Sequence, residues 1–114
     1  MLTPAEFYNI LSDETRLRCL LLLYNHGKLC VCELMQALGS SQPKVSRHLS
    51  MLRNSGIVID ERRGQWVYYS LSLSLPKWSN KIIASNFDCL VKLEPYCSDI
   101  KRIHSLKKDN ICTT

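Results

Sequence analysis

Two of the chain's six cysteines sit two apart, at Cys30-Val31-Cys32, and they are the side chains with the most chemistry to offer. A thiolate is a soft, nucleophilic ligand, so a close pair suits thiophilic ions or oxidation. Cys30 stands where Ser or Thr would cap a helix, and Glu33 follows three residues later as in a capping box. The positive end of the helix dipole there favours thiolate over thiol. Residues i and i+2 lie about 200° apart around a helix, so one ion held by both sulfurs is expected to unwind the first turn. Cys19 lies in a leucine-rich run and reads as a core residue, which leaves Cys89, Cys97 and Cys112 as further thiols. A thiol oxidoreductase needs Cys-x-x-Cys or a cysteine with a partner base. The chain has Cys-x-Cys, no phosphate-binding loop and no triad spacing, so the reading is no enzyme and no catalytic cofactor.

The second chemistry is charge. Fifteen Lys and Arg against ten Asp and Glu give a formal net charge of +5, which favours a polyanionic partner. The excess is local. Residues 42–66 hold five basic side chains (Lys44, Arg47, Arg53, Arg62, Arg63) against two acidic ones, whereas residues 1–41 hold three against four. The segment from Gln42 to Asn54 reads as a helix whose inner side is Val45, Leu49 and Leu52. Its other side then offers Gln42, Lys44, Ser46, Arg47 and Ser50 to base edges and phosphates, with His48 between the two as a packing or phosphate-contacting residue. Arg62, Arg63 and Gln65 add a second polar cluster at a hairpin tip.

These residues must be positioned by elements, and the sequence spells them out. Thr3, Pro4 and Glu6 cap a first short helix bearing Phe7, Ile10 and Leu11. Asp13 caps a second, leucine-rich helix that Gly27 ends. A third runs from Val31 to Leu38, Gly39 terminates it, and Ser40-Ser41-Gln42-Pro43 turns into the fourth: a helix-turn-helix pattern. The period then changes to two in Ile57-Val58-Ile59 and Trp66 to Leu71, predicting a hairpin wing. After Pro76 a helix carries Trp78, Ile82, Ile83, Phe87, Leu90 and Val91 to about Leu93. The expected fold is mainly α with a small β-hairpin, a winged helix-turn-helix over residues 1–95. Residues 96–114 are a C-terminal extension, helical in part, with a loose tail from Asp109. Trp78, Ile82, Phe87 and Leu90, with Phe7 and Ile10, form an apolar stripe that predicts a twofold homodimer, the alternative being that it completes the monomer core.

No run approaches the ~20 apolar residues that span a bilayer, and Met1 to Arg16 lacks a secretory pattern. The expectation is a cytoplasmic protein with reduced thiols and no membrane association.

The combination of Leu11-Ser12-Asp13-Glu14-Thr15-Arg16-Leu17, Leu29-Cys30-Val31-Cys32-Glu33-Leu34, Ser41 to Leu49 and Gly64-Gln65-Trp66-Val67-Tyr68-Tyr69 resembles the arsenical-resistance repressor (ArsR/SmtB) family, in its arsenic-responsive branch. The resemblance spans about residues 5–93. It implies a homodimeric winged-helix repressor on palindromic operator DNA, with no obligate protein partner, that leaves the operator when As(III) or Sb(III) binds thiolates. By the same resemblance Cys30 and Cys32 are metalloid ligands. The branch's third cysteine is absent, since Met35 stands there. Cys89, Cys97, Cys112 or a small thiol from solution is left to complete the site. The last helix lacks the Asp/His and His/Glu pairs of the family's zinc-type site, and no cysteine-bearing N-terminal arm is present. A thiol-redox repressor and a sensor of another soft ion are the alternatives.

Overall fold

The computed structural model describes residues 2–108. Helix α1 (Pro4–Leu11) starts on the reciprocal Thr3–Glu6 capping box, and α2 (Glu14–His26) starts where the Asp13 carboxylate accepts the Arg16 N–H. A short strand β1 (Lys28–Cys30) follows, then α3 (Val31–Leu38) and α4 (Gln42–Asn54). The wing is β2 (Val58–Arg63) and β3 (Trp66–Leu71), joined by the two-residue turn Gly64-Gln65 with Gly64 at φ 62°. Such two-residue turns need left-handed backbone, which glycine supplies without strain. Helices α5 (Lys77–Leu90) and α6 (Tyr96–Lys108) complete the order.

Two elements differ from the sequence reading. Lys28–Cys30 pairs antiparallel with β3, so the sheet has three strands in the order β1-β3-β2 rather than a bare hairpin. A three-residue strand is too short to show a period, and only its pairing with Tyr68, Tyr69 and Ser70 makes it one. Helix α5 ends at Leu90, three residues before the expected Leu93.

The core gathers on α2, where Cys19, Leu20, Leu21, Leu22 and Leu23 are all buried because other elements surround it. Phe7, Leu34, Val45, Leu49, Leu52, Ile57 and Ile83 close round it. From the last helix Ile103 enters this core fully buried.

Candidate functional site

Cys30 closes β1 and is the N-cap of α3, with extended backbone at φ −89° and ψ 166°. Cys32 is already helical. That junction overturns the 200° expectation, which held only if both residues lay inside the helix. The chain turns between them and the two sulfurs lie 2.9 Å apart. An ion bonded at about 2.3 Å to each of two sulfurs needs them roughly 3.3–3.8 Å apart, so the pair has less than about 1 Å to open and no turn of helix to unwind.

Glu33 buttresses the pair. Its carboxylate is buried, accepts the Cys30 N–H at 2.9 Å and pairs with the Lys107 ammonium at 3.0 Å. Lys107 also donates to the Lys28 carbonyl at 3.3 Å. On the open side of α3 a cleft of about 250 Å³ is lined by Val31, Cys32, Met35 and Trp66, together with Gln42 from the start of α4 and Gln65 from the wing turn. One cleft is shared by a sulfur of the pair and by residues of both DNA-facing elements.

Helix α6 lies antiparallel to α3 and ties down its other end. Arg18 makes a two-pronged contact with the buried Asp99 at 2.8 and 2.7 Å, and this hydrogen bonding raises the guanidinium pKa further. Arg102 donates to the Ala37 carbonyl at 2.7 Å and to Asp99 at 3.1 Å, while Arg18 reaches the Leu38 carbonyl at 3.4 Å. The last carbonyls of α3, which a helix leaves without internal partners, are thereby satisfied. None of Arg18, Asp99, Arg102 and Lys107 was singled out from sequence. Arg18 and Asp99 are 81 residues apart, and no spacing rule connects them.

The remaining thiols are dispersed. Cys19 is fully buried, and desolvation pushes its thiol up to about 12, so it stays neutral and unreactive. Cys89 is exposed on α5, and Cys97 lies half-buried in the first turn of α6. Cys112 lies outside the described residues. Among the described residues no group of three His, Cys, Asp or Glu side chains could hold a metal ion.

On α4, Gln42, Lys44 and Arg47 are exposed and Ser46 and Ser50 half-exposed, with Gln42 donating to Ser46 at 2.7 Å. Among the described residues neither Lys44 nor Arg47 has an ion-pair partner, which leaves both charges available. Arg62, Arg63 and Gln65 are exposed at the wing, where Arg63 rests 3.5 Å from Glu61. His48 differs from its neighbours. It is 5% exposed, with Nδ1 3.4 Å from Arg16 and 3.9 Å from Asp13. It packs α4 on the start of α2 and presents nothing to a groove, because the 100° step carries it to the Leu49 side. Burial lowers its pKa, with the Asp13 carboxylate opposing. Arg16 also donates to the Ile10 and Asn9 carbonyls, fixing α1 to the same junction.

The apolar stripe divides in the same way. Phe7 is fully buried and Ile10 nearly so within the protomer, Phe7 meeting Trp78 edge to face with ring centres 5.3 Å apart. Both are core residues here, since α5 folds back over α1. Trp78, Ile82, Phe87 and Leu90 keep part of their surface. No helix among the described residues is long and apolar enough to cross a membrane.

Known proteins share this arrangement. The family model for the bacterial regulatory protein arsR family matches residues 13–60. An arsenic resistance transcriptional regulator of Pseudomonas putida is 54% identical over 83 residues, which are 73% of this chain and 72% of that protein. The arsenical resistance operon repressor of Escherichia coli is 51% identical over 88 residues, 77% of this chain and 75% of its own length. Among solved structures, HlyU from Vibrio cholerae superposes with a TM-score of 0.69 at 28% identity, covering 77% of this chain and 91% of that one. The antimony-specific repressor AntR gives 0.63 at 28% identity, covering 81% and 85%. With the helix-turn-helix, the wing and relatives of about half-identical sequence in agreement, the chain belongs to the arsR family of bacterial regulatory proteins, which are DNA-binding repressors and not enzymes.

Proposed function

We propose that this protein is an arsenite- or antimonite-responsive repressor of an arsenic-resistance operon. As a homodimer it binds a palindromic operator through Gln42, Lys44, Ser46, Arg47 and Ser50, with Arg62, Arg63 and Gln65 on the flanking backbone, and dissociates when As(III) or Sb(III) bonds to Cys30 and Cys32. The observation that carries this is the pair of sulfurs 2.9 Å apart, in a helix start whose cleft includes Gln42 and Gln65. An ion taking further ligands in that cleft changes its shape where the recognition helix begins and the wing turns, so ligand binding and DNA contact compete for one geometry. The relatives named for arsenic resistance support the inducer class, and the antimony-specific structural neighbour keeps Sb(III) beside As(III).

The test is arsenite titration of the operator-bound protein, with peroxide in a parallel arm. Release by micromolar arsenite under reducing conditions is expected. Release by peroxide alone supports a second reading, which the same sulfur proximity favours: a thiol-redox repressor that closes Cys30 onto Cys32.

A further inference from the structure

We infer that Cys112 is the third thiolate of the metalloid site, delivered to Cys30 and Cys32 by α6. This rests on the proposed reading of that pair as a metalloid site and adds the residue that completes it. Trivalent arsenic in arsenous acid carries three hydroxyls. Each thiol that binds forms an As–S bond and gives its proton to a departing hydroxyl, so three thiols yield a tris-thiolate and three waters, with arsenic remaining trivalent. The helix start supplies two. Met35, one turn beyond Cys32, has a thioether with no proton to give and no anionic form, so it cannot take the third place.

Geometry orders the other candidates. Cys19 is sealed in the core with a thiol pushed up to about 12. Cys89 is exposed on α5, outside the α3–α6 layer. Cys97 is on α6 but at the wrong end: the start of that helix meets the C-terminus of α3, through Asp99, Arg102 and the Ala37 carbonyl. Ten residues of helix, about 15 Å at 1.5 Å per residue, separate it from Lys107. The other end of α6 arrives at the thiol pair. Lys107 touches one oxygen of the Glu33 carboxylate, and the other oxygen holds the Cys30 N–H. Cys112 lies outside the described residues and enters by its place in the chain alone, five residues after Lys107. Five residues reach up to about 17 Å, more than the lysine-length gap from the α6 backbone to Glu33 requires. The ion pair to Glu33 is therefore a tether that keeps a C-terminal thiol at high local concentration beside the pair.

The test is X-ray absorption of the arsenite complex of the full chain, in a phosphine reductant with no added thiol, for the wild type, Cys112→Ser, Cys97→Ser and Cys89→Ser. The expected coordination is three sulfurs in the wild type, Cys97→Ser and Cys89→Ser, and two sulfurs with one oxygen in Cys112→Ser. In operator-release titrations Cys112→Ser should need about tenfold more arsenite, and millimolar 2-mercaptoethanol should restore it, since a short flexible tether provides an effective concentration in the millimolar range. Three sulfurs in Cys112→Ser, or two in the wild type, overturns the inference. Loss of the third sulfur in Cys97→Ser or Cys89→Ser does the same. A wild type that binds arsenite through neither Cys30 nor Cys32 overturns the proposed function instead, which separates the two failures.

Discussion

Cys30 and Cys32 meet because they straddle the junction of a strand and a helix, one residue in extended backbone and the other in the first turn. Replacing either by Ser keeps the size and hydrogen-bonding capacity of the side chain. Operator affinity should therefore stay within a few-fold of wild type while arsenite no longer releases the complex, as gel-shift titration will show. Lys44 and Arg47 behave in the opposite sense. Substitution of either by Ala should weaken operator binding by about 1–3 kcal/mol if the side chain meets a base edge, and lower the salt dependence if it meets a phosphate. His48 belongs to folding. Burial lowers its pKa, while Asp13 and Arg16 from α2 and Lys44 and Arg47 from α4 set the surrounding charge. The folded state thus binds the proton less readily than the unfolded chain. Its contribution is present above the ordinary histidine value of about 6.5 and declines as pH falls below it. Urea midpoints measured between about pH 7.5 and pH 5 should drop, and His48→Gln should flatten that slope, with His26, lowered likewise by burial, supplying what remains.

At the scale of elements, α3 is the shared part: thiols at its start, the turn into α4 at its end, and α6 along its length. Asp99 is the anchor, 1% exposed and shared between Arg18 and Arg102. Replacing it by Ala leaves the guanidinium of Arg18 partly buried without its anion and should cost about 2–4 kcal/mol of stability, read as a lowered thermal midpoint. That loss should be accompanied by faster amide exchange across Tyr96–Lys108. The helices were legible beforehand because caps and the 3.6-residue period are local properties: Thr3, Asp13 and the glycines after α2 and α3 mark the boundaries unaided. Strand β1 and the role of α6 were not. Both exist through partners 40 to 80 residues away, Tyr69 facing Leu29 and Asp99 facing Arg18.

For the whole molecule, the half-buried Trp78, Ile82, Phe87 and Leu90 are the surface left for a second copy, after Phe7 and Ile10 have gone into the protomer's own core. A twofold pair of this kind sets two recognition helices near 34–36 Å apart, one turn of B-DNA. Sedimentation at micromolar concentration should give a dimer, and Ile82→Glu should shift it to monomer and cut operator affinity at least about tenfold, because each half-site alone binds weakly. A monomeric wild type sinks the dimer.

Residue types and short-range spacing determined by themselves the helix-turn-helix and wing, the basic helix face and the identity of the reactive thiols, since capping, periodicity and motif order are written within a few residues. Tertiary structure decided what depended on distant partners. It brought the two sulfurs onto one side of a strand–helix junction, took His48, Phe7 and Ile10 out of contact surfaces and into the interior, and aimed the end of α6 at the thiol pair. The reason is physical: a local pattern fixes which way a side chain leaves its own element, but only packing between elements fixes what it then meets.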